Sequence, residues 1–248
     1  MAVPFRPLRR EDRLFSGFTC LFSVFTSANK NGSVVALRVV FLCCLKCLQK
    51  LSSSRMKNAT VGRPLFGGAL SATIPHSAKD ISELREIPDN QEVFAHDHND
   101  QSIIVELLEL QSHVQNGDAA RYHFEDVAGS NKASAPGTSE VRAVVALPKS
   151  DLSLEGCSSA FLLTGTQCVA KFNEEAKNTV TIHLGLFRLP QFSTDVLVTF
   201  NDPLSISPGS SSAVGMGGEQ QEDTEPWTLQ DFQRLLQSLR LHDPDVFG

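Results

Sequence analysis

The sequence predicts an α+β fold for residues 56–248, with an antiparallel or mixed β-sheet covered by helices. Two observations carry this. A series of short runs rich in Val, Ile, Leu and Phe follow one another with few helical crossovers, which favours neighbouring antiparallel strands. Two segments with helical spacing, one central and one near the carboxyl end, each carry an apolar face that must bury against a sheet.

Leu65 to Ile74 reads as one strand between Pro64 and Pro75, with Gly67-Gly68 allowing a bulge or a close backbone approach. Asp80 to Arg85 reads as a short helical turn preceded by a loop. Pro88-Asp89-Asn90-Gln91-Glu92 then forms a tight loop that feeds a strand at Val93-Phe94. Ser102 to Leu110 admits two readings, since Ile103, Val105 and Leu107 alternate as in a strand while Ile104, Leu107, Leu108 and Gln111 sit at helical spacing; a buried strand is favoured because Ile103-Ile104-Val105 is β-branched throughout. A helix starts near Asp118, a suitable N-cap. Ala119, Tyr122, Phe124 and Val127 give it a partly apolar face that ends before Gly129.

After a small-residue loop at 131–139 come strands at Val141 to Leu147, Ser159 to Leu163, Cys168 to Phe172 and Thr179 to Leu189. Thr164-Gly165-Thr166-Gln167 reads as the turn that makes the middle two a hairpin. Asp195 to Phe200 is a further strand. Residues 203–226 are rich in Ser, Gly and Glu and read as a flexible acidic loop. In the last helix Thr228 and Asp231 form a capping-box-like pair, and Leu229, Phe232, Leu235, Leu236 and Leu239 make one stripe.

Charge divides the chain. Residues 1–55 hold nine Lys or Arg and two acidic residues, a net of +7. The other 193 residues hold 13 basic and 26 acidic ones, a net of −13, and together these give −6. An acidic domain does not suit the phosphates of nucleic acid and does suit a basic protein partner. Arg6, Arg9, Arg10 and Arg13 among Ser and Phe have the character of a transit peptide, interrupted by Glu11 and Asp12; the favoured reading of the first 55 residues is an amino-terminal extension without a fold of its own, ahead of an ordinary start at Met56. Their longest uninterrupted apolar piece, Val39 to Leu45, is far short of the roughly 20 residues a membrane span needs. Cys20, Cys43, Cys44 and Cys47 lie there, leaving Cys157 and Cys168, which is no disulfide framework.

No phosphate-binding glycine loop, dinucleotide fingerprint or nucleophile elbow occurs. His96 and His98 stand two apart and could ligate zinc with Asp97 or Asp100, but a hydrophilic hairpin loop is the favoured reading. Asp80, Glu83, Glu86, Asp89 and Glu92 put five carboxylates into thirteen positions, relieved by Arg85. A polar turn does not desolvate Asp89 or Glu92 enough to make them an acid/base pair, so the set reads as a negative patch.

PLFGGA at Pro64, DISELR at Asp80, IPDNQEVF at Ile87, DQSIIVELLELQ at Asp100, AARYHFEDV at Ala119, RLPQF at Arg188 and LHDP at Leu241 together resemble the Ran guanine nucleotide release factor family. The resemblance covers residues 64–248. It implies an antiparallel sheet between helices, an α/β/α sandwich of the photosystem PsbP type. It also implies a regulatory rather than catalytic protein that binds Ran and promotes nucleotide release in nucleus and cytoplasm, as a monomer and with no cofactor. Asp80, Asp89 and Glu92 are the Ran-binding residues that it carries over. It further implies the cardiac voltage-gated sodium channel as a second partner. An adaptor that binds Ran or the channel without speeding release is the alternative.

Overall fold

Alternation along the central strands leaves both faces of one sheet apolar, and the rest of the chain is arranged to cover them. The computed structural model describes residues 60–82, 84–97, 99–115, 117–170, 175–210 and 225–248. Its strands are β1 (Thr60–Leu65), β2 (Leu70–Pro75), β3 (Ala78–Asp80), β4 (Gln91–His96), β5 (Ser102–Glu109), β6 (Ser139–Ala146), β7 (Ser159–Ala170), β8 (Lys177–Leu189), β9 (Thr194–Ser205) and β10 (Arg240–Leu241). Its helices are α1 (Gly117–Ser130) and α2 (Leu229–Ser238). Seven strands form the main sheet in the order β3-β4-β5-β9-β8-β7-β6, and β1-β2-β10 form a second, small sheet. Every recorded pairing is antiparallel.

One face of the main sheet presents Leu108, Phe161, Leu163, Ile182, Leu184, Leu186 and Leu197 to Ala119, Ala120, Phe124 and Val127 of α1. The other presents Ile103, Val105, Leu107, Phe187, Val196, Val198 and Phe200. They meet Leu70, Ala72 and Ile74 of the small sheet and Phe232, Leu235, Leu236 and Leu239 at α2. This is the expected α/β/α layering, with the small sheet as part of the second cover. The α2 capping box is present, since Asp231 N–H donates to Thr228 Oγ1 and Thr228 N–H to Asp231 Oδ2. Leu229 leaves the predicted stripe and is exposed. The first residues of the 203–226 stretch continue β9 as far as Ser205. Residues 211–224 and the amino-terminal extension lie outside the described residues.

Two sequence expectations are corrected. Leu65 to Ile74 is two strands joined by a tight turn. Phe66, Gly67 and Gly68 have φ of 51°, 66° and 96°, a left-handed run that glycine permits and that reverses the chain. Pro64 lies within β1, the outer strand of the small sheet, where its missing N–H costs no ladder bond. Thr164 to Gln167 is no turn at all, because β7 runs unbroken from Ser159 to Ala170. Gly165 is required there for a different reason. A Cβ would lie 2.6 Å from Phe124 Cζ and 2.6 Å from the Glu140 carbonyl oxygen, so the glycine is the seat for α1. The buried Gln167 secures the same contact, with its Nε2 donating to the Phe124 carbonyl and its Oε1 accepting from Asn131 Nδ2.

A buried polar cluster ties the loop before α1 to the sheet. Asp195 accepts from Arg188 Nε, His123 Nε2 and the Gln111 amide, each at 3.1 Å. The Arg188 guanidinium also donates to the carbonyls of Val114 and Gln111 at 2.6 and 2.7 Å. Burial alone would push the Asp195 carboxyl up. His123, the Gln111 amide and Arg188 together outweigh it and hold the carboxyl below its ordinary range.

Replacing Gly165 with Ala should lower stability in urea by about 1–3 kcal/mol through overpacking. Gly62→Ala, where a Cβ meets nothing within 4 Å, should stay within about 0.5 kcal/mol of wild type. Asp195→Ala should cost about 3–5 kcal/mol, since it leaves Arg188 buried without its partner. Because the folded Asp195 is more acidic than the unfolded one, its contribution is full above the unfolded value of about 3.9 and fades as pH falls through the lower folded value. Acid titration of the unfolding midpoint should therefore decline more steeply for wild type than for Asp195→Asn.

Candidate functional site

The acidic stretch gathers where β3 and β4 form the margin of the main sheet, beside the turn of the small sheet. In β3 the strand alternation turns Ala78 and Asp80 toward the face covered by the small sheet, and Lys79 toward the other. In β4 it gives Glu92 and Phe94 that same face. Asp80 and Glu92 are thereby close enough for the charge of Asp80 to act on Glu92.

Each of the three expected site residues is held differently. Asp80 ends β3 and its Oδ1 accepts from Ser82 N–H at 2.8 Å and Ser82 Oγ at 2.6 Å, closing the start of the next turn. Asp89 is exposed at the tip of a turn in which Gln91 N–H donates to the Pro88 carbonyl at 2.9 Å. Its neighbour Asn90 points inward, buried, and exchanges bonds with Leu107 on β5: Nδ2 donates to the Leu107 carbonyl, and Leu107 N–H donates to the Asn90 carbonyl. The tip is therefore fixed from below.

Glu92 has moved from the loop of the sequence reading onto a strand, under the Phe66–Gly68 turn. Its Oε1 accepts from the Phe66 amide at 2.6 Å. Burial pushes the Glu92 carboxyl up, the Phe66 amide pulls it back, and Asp80 pushes it further up. This corrects the expectation that a polar turn leaves the pair solvated, which holds for Asp89 alone.

Between Asp80 and Asp89 the chain makes the expected short turn. Ile81 N–H donates to the Val93 carbonyl at 2.9 Å, and the Ile81 carbonyl accepts from Leu84 and Arg85 N–H at 2.9 and 3.1 Å. Leu84 stands out from this turn with 76% of its surface exposed. Sequence reading gave it no role. The signal available was a large aliphatic residue flanked directly by Glu83 and by Arg85-Glu86. Glu83 lies outside the described residues.

The histidine candidate resolves differently. His96 is buried, packs on Trp227 with ring centroids 5.2 Å apart, and its Nε2 lies 3.2 Å from the Glu225 carbonyl. His98 lies outside the described residues, among which no cluster of three His, Cys, Asp or Glu could hold a metal. No helix among them is long and apolar enough to cross a membrane.

What the geometry offers is a fixed anionic margin with one apolar projection. Asp80, Asp89 and Glu92 can accept hydrogen bonds from cationic side chains of a partner.

Residues 63–203 match the model of the Ran-interacting Mog1 protein family. A Ran guanine nucleotide release factor of Danio rerio is 67% identical over 188 residues, which are 76% of this chain and all of that one. The Ran guanine nucleotide release factor of Homo sapiens is 50% identical over 186 residues, 75% of this chain and 95% of that one. Among solved structures, the Saccharomyces cerevisiae Ran-binding protein Mog1p superposes with a TM-score of 0.55 at 24% identity, covering 77% of this chain and 99% of that one, a likeness of fold. With a family match over more than half its length and relatives aligned from end to end, the chain belongs to the Ran-interacting Mog1 family.

Proposed function

We propose that this protein binds the GTPase Ran through the carboxylates of Asp80, Asp89 and Glu92 and promotes release of its guanine nucleotide, as a monomer serving nucleocytoplasmic transport from nucleus and cytoplasm. The observation that carries the reading is the Glu92 carboxylate. It is half-buried, held at 2.6 Å by the Phe66 amide and pushed up by Asp80, so it stands to gain more from an arriving cation than an ordinary solvated glutamate does. Membership of the Ran-interacting family supplies the partner.

Release by such a protein follows from linkage. If it binds loosened or nucleotide-free Ran more tightly than nucleotide-bound Ran, the nucleotide must bind the complex less tightly by the same factor. About 1.4 kcal/mol of coupling gives tenfold. The carboxylates engage Lys or Arg beside the nucleotide site and draw off charge that neutralised the phosphates. The protein supplies no catalytic group in this scheme. No feature of the described residues favours the sodium channel as a second partner, and the proposal is confined to Ran.

Stopped-flow release of a fluorescent guanine nucleotide from Ran tests the reading. Wild type should accelerate release. Asp89→Lys, which alters an exposed turn tip, should abolish the acceleration with its unfolding midpoint unchanged. Glu92→Lys should lose both activity and stability, because it removes the acceptor of the Phe66 amide, whereas Glu92→Gln should lose activity and keep the fold. Binding of Ran without acceleration would support an adaptor in place of a release factor.

The pH dependence has a definite sign. Cations bind the ionised form of Glu92, whose carboxyl is pushed up in the free protein, so complex formation releases a proton. Affinity should weaken as pH falls from neutral through that raised value, and the Glu92→Gln variant should show a flatter profile by calorimetric titration over the same acid range.

A further inference from the structure

Leu84 is the most exposed large hydrophobic side chain among the described residues, at 76%. Exposed aliphatic residues are ordinary on protein surfaces and single ones need no explanation. The setting of this one is unusual. Val145 lies on the outer strand β6, Leu204 near the end of β9, Val61 on β1 and Leu229 at the start of α2. Of these, Leu84 alone lies in the chain between two of the proposed Ran-contacting carboxylates, Asp80 and Asp89.

The backbone on either side of it is hydrogen-bonded. Leu84 N–H is bonded to the Ile81 carbonyl at 2.9 Å, Ile81 is bonded to Val93 of β4 at 2.9 Å, and Asp80 closes the turn by accepting twice from Ser82. A side chain on a fixed turn has little backbone freedom left to lose when it is bound, and such preorganisation is where binding free energy is retained. Burying one leucine removes apolar surface from water independently of salt, in contrast to the carboxylates around it.

We infer that Leu84 is the apolar anchor of the Ran interface and enters a hydrophobic socket next to the basic residues that the carboxylates engage. The inference rests on the Ran-binding reading and assigns its parts: the carboxylates set the rate and specificity of encounter, and Leu84 sets the lifetime of the complex. Charged rim groups act chiefly on association, and buried central anchors on dissociation.

The test is surface-immobilised Ran with the full chain as analyte, over a range of salt. Leu84→Ser should raise the dissociation rate about tenfold or more, as loss of an interface anchor does, and leave the association rate, its salt dependence and the unfolding midpoint unchanged. Leu84→Met should retain most of the lifetime. Asp89→Lys should instead slow association and flatten its salt dependence. Wild-type binding with an unchanged dissociation rate for Leu84→Ser would overturn the anchor and leave the Ran reading standing. A change in association alone, or a lowered unfolding midpoint, would overturn it as well. Failure of the wild-type chain to bind Ran would remove both.

Discussion

A sheet of seven antiparallel strands that is apolar on both sides must be covered twice, and everything else in this molecule answers to that constraint. On one side the cover is α1, seated on Gly165 and tied down by Gln167 and by the Arg188–Asp195–His123 cluster. On the other side α2 is joined by the small sheet β1-β2-β10. The second cover ends at the Phe66–Gly68 turn, and its edge is fixed to the main sheet by the bond from the Phe66 amide to Glu92. The candidate site lies along that edge. Its chemistry is a product of the packing, since a carboxylate needed to hold a turn in a left-handed conformation is also left partly desolvated beside Asp80.

Much of this was legible in the sequence where a local rule and the tertiary structure agree. β5 was found because Ile103-Ile104-Val105 is β-branched and buried on both sides of the strand. The start of α2 was found because Thr228 and Asp231 form a capping box that needs no other element. Antiparallel order followed from the scarcity of crossovers. The failures share one cause. Thr164-Gly165-Thr166-Gln167 has the composition of a turn, but Gly165 serves a helix more than thirty residues earlier in the chain. Phe66-Gly67-Gly68 has the composition of a bulge, but it reverses the chain so that β2 can sit between β1 and the two-residue β10. Phe124 and β10 both lie beyond a window of ten residues, whereas the β1–β2 hairpin itself is local, with Leu65 opposite Leu70.

The candidate site was legible only as a group. Its carboxylates stood out by their density and by family resemblance, and their role toward Ran is a proposal. Their differences were not legible, because Asp80 as a turn cap, Asp89 as an open tip and Glu92 as a half-buried latch are distinguished only by what lies against them. Asn90 and Leu84 show the same limit from opposite sides. One is a polar residue of a loop that turns inward to hold β5, and the other an apolar residue of a charged turn that points outward.

The central claim is that Ran meets this edge and no other part of the surface. Hydrogen–deuterium exchange of the chain, alone and with Ran, tests that most directly. The account predicts that amides in 66–69 and 81–92 gain protection in the complex, while β6, the open strand at the far side of the main sheet, is unchanged. Protection centred on β6 with none at the Pro88–Gln91 turn would contradict it.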